Sequence, residues 1–303
     1  MQALFAKERK ERKKERKKLQ APQTEGCAVS PIGTASVPKT FFDGVRRCSS
    51  PSDFAPLCML GRGAFGQVVL TRWRGDGQPY AMKSIRVETA VRDKLVGTIL
   101  AERRVLTEFA TSPHRLLISV LCCFRSPNHL HFVMPFLQGG TLERLLAEKT
   151  YLPEQTVRFF VAQLVLALGE LHARRIVYLD LKLENVMISI AGDATLVDFG
   201  FVRCDVDVAS GQTVKRPGGT RCYLPPEAIL GQPVGGLCDW WALGVLCFEL
   251  LTGSSPFVGD KKALGTAICN ARVRFPRAVT LVPGGEEHEL RISGDAVALV
   301  RLS

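Results

Sequence analysis

Three glycines, Gly61, Gly63 and Gly66, stand in the order G-x-G-x-x-G within "LGRGAFGQV", residues 60–68. The run directly after this triplet constrains the fold more than any other feature. Glycine lets backbone N–H groups approach an anion closely, because no Cβ stands in the way. In a Rossmann unit the same triplet opens a helix. Here it leads into "QVVLTRW", a β-branched run that favours a strand. The sequence therefore predicts a strand–loop–strand flap over a nucleotide.

The elements around the flap are set by pattern. "LCMLGRG", "GQVVLTRW" and "PYAMKSIRV" read as strands, with Gly75-Asp76-Gly77 as a hairpin turn between the last two. "RDKLVGTILAERRVLTEF" carries Leu95, Ile99, Val105, Leu106 and Phe109 at helical spacing and reads as one helix. "HLHFVMPFL" is a further strand. Beyond it the chain turns helical. Pro153 and Glu154 suit a first turn, and Val157, Val161, Leu164, Leu168 and Leu171 repeat along one face. "NVMISI-AGD-ATLVDFG" reads as a small hairpin. The expected fold class is α+β and bilobal, with a strand-rich lobe at 54–137 and a helical lobe at 138–276.

Of the 303 residues 46% are apolar, enough for a sizeable core. "FFVAQLVLAL" and "WWALGVLCF" are too short to span a bilayer and read as buried helices. Neither a signal peptide nor myristoylation is expected, since the sequence runs from Met1 into charge and residue 2 is Gln. Ten cysteines show no metal-ligand spacing, so reduced thiols and an intracellular setting, cytoplasmic or nuclear, are expected. The net charge of +11 is concentrated in "KERKERKKERKK", residues 7–18, with nine basic and three acidic side chains. Such an arm is a solvated tail or a contact for an anionic membrane or RNA. It carries no aromatic residues for base stacking, and DNA is not expected as a partner. Residues 19–52 are rich in Pro, Ser, Thr and Gly and read as a linker, so 1–53 is expected to be disordered.

The chemistry concentrates in four places. Lys83 ends the third strand in "YAMK". Glu102, on the predicted helix, is placed to fix its amine toward phosphates. "RIVYLDLKLENVMI" sets Asp180, Lys182, Glu184 and Asn185 close together among apolar residues, which suits a loop that bends polar tips to one point. "DFG" comes next at Asp198–Gly200. Phosphoryl transfer needs a proton acceptor and ligands for a cation. Asp180 suits the first role, Lys182 suits neutralising the moving group, and Asn185 and Asp198 are hard oxygen ligands for Mg²⁺.

The series G-x-G-x-x-G-x-V, A-x-K, Glu, D-L-K-x-E-N, D-F-G, P-P-E and D-W-W-A-L-G resembles the eukaryotic protein kinase family over about residues 54–275. "GTRCYLPPEAI" and "VRFP" resemble its AGC group, nearest the ribosomal kinase (RSK) branch, and Thr220 after Gly219 marks Ser/Thr kinases. The resemblance implies ATP and Mg²⁺ as cofactors and protein Ser or Thr as acceptors. It implies a glycine flap over ATP formed by Leu60, Gly61, Arg62, Gly63, Ala64, Phe65, Gly66, Gln67 and Val68. Met134 is the implied gatekeeper, and Pro135 to Leu137 the hinge that meets adenine. Val68, Ala81 and Met187 would sandwich the ring. Leu106, Val120, Tyr178 and Phe199 would form a spine between the lobes, and Asp239 would hold the catalytic loop. Glu184, Thr220 and Glu249 fall at substrate-binding positions, which implies a preference for basic substrates.

Three departures matter. Leu179 replaces the Arg that in the family holds an activation-segment phosphate, and Arg216 stands where the phosphorylated Thr usually lies. Both members of that pair are absent, which implies loss of the switch and not of the chemistry. Thr141 replaces an acid that reads substrate arginine. After "VRFP" (273–276) the resemblance stops. The tail at 277–303 lacks the Arg that usually pairs with the Glu of the A-P-E motif, here Glu227, and lacks the aromatic motif of AGC kinases. An alternative splice product would account for it. The expected consequences are an exposed apolar face on the second lobe and low stability. A pseudokinase-like module that binds nucleotide or partners without turnover is the alternative reading.

Overall fold

The computed structural model describes residues 50–63, 66–215, 218–271, 273–276, 278–280 and 287–302. The basic arm, nearly all of the linker, Ala64, Phe65, Arg216 and Pro283–Gly285 lie outside them. The first lobe is built on five antiparallel strands: β1 (Phe54–Gly63), β2 (Gly66–Trp73), β3 (Pro79–Arg86), β4 (Cys122–Arg125) and β5 (His129–Pro135). Their order in the sheet is β1-β2-β3-β5-β4. The β2–β3 turn falls where Gly75-Asp76-Gly77 predicts it. Gly77 takes φ +72, and Asp76 Oδ1 accepts the Gln78 N–H at 2.8 Å. Ile85, Leu130 and Phe132 bury one face of the sheet together with Ile99, Leu106 and Phe109.

The helix expected from Arg92 to Phe109 is two helices, α1 (Val87–Arg92) and α2 (Val96–Thr111). Lys94 sits at φ +57 between them. Its N–H donates to Val91 O at 3.2 Å and the Leu95 N–H donates to Ala90 O at 2.8 Å. That pairing closes a helix C-terminus, with Lys in the left-handed position where glycine is usual. Leu95 nevertheless packs on the core, so the apolar periodicity runs through the break and conceals it.

His131 on β5 is 5% exposed and lies between two hydroxyls, with Ser84 Oγ 2.8 Å from Nδ1 and Ser126 Oγ 2.9 Å from Nε2. A neutral ring offers each nitrogen one role, donor or acceptor. Burial, with a smaller push from His129, lowers its pKa from 6.5 to about 4. The folded protein thus binds fewer protons than the unfolded chain between those values, and its stability falls as pH drops from 6.5 toward 4. His131→Gln is expected to flatten that part of the stability profile, as read by urea midpoints at pH 7, 6 and 5.

The second lobe contains α3 (Leu142–Lys149), α4 (Glu154–Ala173), β6 (Val186–Ile188), β7 (Ala194–Leu196), α5 (Pro226–Ile229), α6 (Leu237–Thr252) and α7 (Lys261–Asn270). Thr141 caps α3 by accepting the Arg144 N–H at 3.1 Å. α4 begins at Glu154 as expected. By length and composition α4 could cross a bilayer, but Val157, Phe160, Val161, Leu164, Leu168 and Leu171 are buried in the core of the lobe. α6 is the centre of that core, buried continuously from Ala242 to Thr252.

The tail overturns the expectation of an open apolar face on α6. β8 (Ala278–Thr280) and β9 (Glu287–Glu289) pair, and α8 (Gly294–Leu302) lies against α6. The Phe275 ring is 4.9 Å from that of Phe248, and Ile292, Ala296 and Val300 join the core. Ser293 fixes the approach by donating its N–H and hydroxyl to the two carboxylate oxygens of Glu154, each at 2.8 Å. Loop residues hid this arrangement, because the helix is short and its apolar positions come after a charged, Gly-rich stretch. Val300 is 7% exposed. Val300→Asp is expected to cost about 2 kcal/mol or more and lower the unfolding temperature by roughly 4–8 °C, measured by calorimetry.

Candidate active site

The flap forms as a β-hairpin, with Gly61 paired to Val68, Arg62 to Gln67 and Gly63 to Gly66. Gly66 is required by contact, because a Cβ there would lie 2.1 Å from the Ser84 carbonyl oxygen. Leu60 at its rim is 43% exposed. Register places Val68 opposite Lys83, and Ala81 opposite Met134. The chain leaves β5 at Pro135, passes Leu137, and meets β6 through the Thr141–Met187 bridge and the Ile188 N–H to Gly140 O bond of 2.8 Å. That crossing brings Met187 beside the segment joining the lobes.

Below the flap, Lys83 Nζ donates to Glu102 Oε1 at 2.6 Å and to Asp198 Oδ1 at 2.9 Å. The Lys83 and Glu102 side chains are 11% and 4% exposed, whereas Asp198 is 45% exposed. Burial alone would drive the ammonium toward neutrality, but Glu102 and Asp198 outweigh it and hold the Lys83 pKa above its ordinary value. Burial, with Asp198 nearby, pushes the Glu102 carboxyl up against the opposing pull of Lys83. Burial also opposes ionisation of Asp198, yet Lys83 prevails and holds that carboxyl below the ordinary Asp value. Asp198 takes φ +61. A left-handed residue other than glycine persists only where its surroundings hold it; here Gly200 donates its N–H to Asp198 Oδ1 at 3.3 Å.

Of the four residues expected to bend to one point, Asp180, Lys182 and Asn185 are brought together by hydrogen bonds, while Glu184 is not bonded to them. Asp180 Oδ2 accepts from Lys182 Nζ at 2.7 Å and from Asn185 Nδ2 at 2.8 Å, and Oδ1 accepts from the Thr220 hydroxyl at 3.2 Å. Lys182 also reaches Thr220 Oγ1 at 3.1 Å. Asp180 is 4% exposed. Burial raises its pKa, against Lys182, Asn185 and Thr220. Asn185 spends its amide nitrogen on Asp180, donating also to the Asp180 carbonyl at 2.9 Å, which leaves its oxygen as the atom available to a cation. The Val197 N–H donates to the Asn185 carbonyl at 3.0 Å, so Asn185 and Asp198 stand on adjacent backbone. A carboxylate and an amide oxygen fit Mg²⁺, which takes few protein ligands and fills its shell with phosphate and water.

The loop is held from beneath by Asp239 on α6, which is 1% exposed. Its carboxylate accepts the N–H groups of Tyr178 at 2.9 Å and Leu179 at 2.8 Å. Leu179 has φ +67, an uncommon conformation for a bulky residue. The expected stack between the lobes is present. Leu106 and Val120 are buried, Phe199 lies edge-on to Tyr178 at 5.8 Å, and Phe109 stacks on Phe199 at 6.4 Å. Glu184 is half-buried beside the catalytic loop. Glu249 is buried and its carboxylate accepts from the Tyr223 hydroxyl. Sequence reasoning missed two supports, Tyr223 and His172. The latter lies 2.8 Å from Asp239 Oδ2. Both sit in apolar helical or turn sequence, where a polar ring carries no signal of its own.

A family model described as the protein kinase domain matches residues 54–291. The chain is 37% identical over 234 residues to Serine/threonine-protein kinase sck2 of Schizosaccharomyces pombe, covering 77% of this chain and 36% of that protein. It is 36% identical to RAC-beta serine/threonine-protein kinase A of Xenopus laevis, over 76% of this chain and 46% of the relative. It is 36% identical to Protein kinase C eta type of Mus musculus, over 74% and 32%. The chain thus spans less than half the length of these relatives.

Proposed function

The chain belongs to the protein kinase family, and from that premise we propose that it transfers the γ-phosphoryl group of ATP to Ser or Thr hydroxyls of proteins. One observation carries the reading: both carboxylate oxygens of Asp180 are held by Lys182, Asn185 and Thr220, in the second lobe, whose Asp198 is bonded to Lys83 of the first. Mg²⁺-bound ATP supplies the phosphoryl group and the neutralising charge. Lys83 would hold phosphate oxygens, and Asp198 and Asn185 would hold the cation. Asp180 orients the acceptor hydroxyl and takes its proton as the hydroxyl oxygen bonds to the γ-phosphorus and the bond to the β-phosphate oxygen breaks, ADP leaving, while Lys182 offsets charge on the moving group. The pair Val68 and Ala81, with Met187 opposite, would enclose adenine beside Met134, Pro135 and Leu137.

Relatives named as protein kinase C and RAC kinases support the AGC group. The narrower likeness to the RSK branch is part of the proposal. So is a preference for basic substrates, read by Glu184 with Glu249 behind it, and weakened by Thr141, which is taken up in capping α3. All eight cysteines among the described residues are free thiols, which supports an intracellular, reducing setting. For the basic arm the proposal is contact with an anionic surface, membrane or RNA. Nothing in the site favours a module without turnover, since every acid, base and cation-ligand position is filled. The deciding experiment is radiolabel transfer to basic Ser/Thr peptides by purified full chain beside Asp180→Asn. Equal signal from both, or none from either, refutes the proposal.

A further inference from the structure

We infer that Leu179 is a positioning residue, the anchor of an apolar latch that holds the stretches 201–215 and 218–220, and with them Thr220, against Asp180 without any phosphate. The inference rests on the kinase reading for its purpose and on packing for its existence. Val177, Leu179, Val206, Val234 and Cys238 are buried together, with Phe201, Val208, Val214 and Ala228 packed against them. This cluster is separate from the main core. It joins the catalytic loop to the irregular chain around Val206, Val214 and Val234, to Ala228 of α5 and to Cys238 of α6.

The backbone around the cluster is tied to it. Val177 and Arg203 exchange N–H to carbonyl bonds, each 2.9 Å. The Val206 N–H donates to Arg175 O at 2.9 Å, and Val214 and Val234 bond one another at 2.6 and 3.0 Å. Among the described residues, ion pairs lie only at the rim. Arg104 meets Asp205 at 2.6 Å and Arg175 meets Asp207 at 2.7 Å. Their Arg side chains are more than half exposed, so they add little. The packing is close, because a Cβ on Gly236 would lie 2.5 Å from Val208 Cγ1.

Leu179 touches the segment twice. Its side chain, 6% exposed, enters the valine cluster. Its carbonyl meets Gly219, which takes φ +108 and where a Cβ would come within 2.5 Å of that oxygen. The next residue of the segment, Thr220, donates to Asp180 Oδ1, and Asp180 is the next residue of the loop. One leucine therefore sets the distance between the proton acceptor and the segment beside it. With Asp239 holding its N–H and φ at +67, the side chain has one direction to take. A guanidinium there would be buried among valines and would need a partner that apolar packing does not provide.

The test uses phosphatase-treated full chain, a Ser/Thr peptide and trypsin, which can cut at Lys215. Wild type is expected to keep its rate after phosphatase. Leu179→Ala and Val206→Ala are each expected to lower kcat/KM for peptide about tenfold or more, to cut faster at Lys215, and to keep the wild-type thermal shift with Mg-ATP. The double variant is expected to lose less than the product of the two, because both residues serve one cluster. Leu179→Met, which refills the space, is expected to recover peptide kinetics. Wild-type peptide kinetics and cutting in both alanine variants would overturn the latch, and so would loss of the wild-type rate on phosphatase treatment. If wild type transfers no phosphate, the kinase reading fails, and the cutting rates still decide the latch.

Discussion

Asp180→Asn is expected to bind Mg-ATP like wild type and to transfer phosphate about 10²–10⁴-fold more slowly, the usual contribution of a positioned acid or base. The substitution keeps the shape and the Thr220 contact but removes the proton acceptor. A pH profile separates this from a packing effect. Burial, opposed by Lys182, Asn185 and Thr220, raises the Asp180 pKa above the ordinary 3.8. The wild-type rate is therefore expected to fall on the acid side as the carboxylate takes up a proton, and the residual rate of the variant to lack that limb. An Asn variant with wild-type turnover would remove Asp180 from the chemistry.

Lys83→Met is expected to abolish both transfer and the thermal shift produced by Mg-ATP. It also leaves Glu102, 4% exposed at its side chain, without its cation. Breaking a buried pair in this way costs about 3–5 kcal/mol, so the variant is expected to unfold at a lower temperature even without nucleotide. The double change Lys83→Met with Glu102→Gln separates the two effects. It is expected to regain much of the lost stability and none of the ATP shift. Equal ATP shifts in wild type and Lys83→Met would show that the phosphates lie elsewhere.

Much of this architecture was legible because local pattern and tertiary role coincide. The β-branched run after Gly66 identified the flap, and the apolar face of α4 runs uninterrupted from Val157 to Leu171. The polar cluster from Asp180 to Asn185 could be read as a site because its neighbours, Leu181, Leu183 and Val186, are apolar and buried. Each feature that escaped reading did so for a physical reason. The break at Lys94 lies inside a continuous apolar stripe. The tail helix gains its place from Glu154, which lies 139 residues before Ser293, and no local signal encodes that distance. The valines of the latch, Val206, Val208, Val214 and Val234, keep no helical or strand period, so they read as scattered loop residues. Leu179 could be seen to lack a charge; the cluster it serves could not be seen.

Asp239 gives the catalytic loop an unusual standing within the molecule. Loops that carry chemistry are commonly drawn from the regions that open most easily, with local opening far less costly than global unfolding. Here the amides of Tyr178 and Leu179 are bonded to a carboxylate on the most deeply buried helix of the lobe. Releasing them means leaving that carboxylate, 1% exposed in the first turn of α6, without those partners, a cost that falls on the buried core around it. The loop and the core therefore form one cooperative unit. Exchange of those two backbone protons with solvent is expected to require unfolding of the whole lobe, so opening falls to the flap, while Asp180 stays on rigid ground.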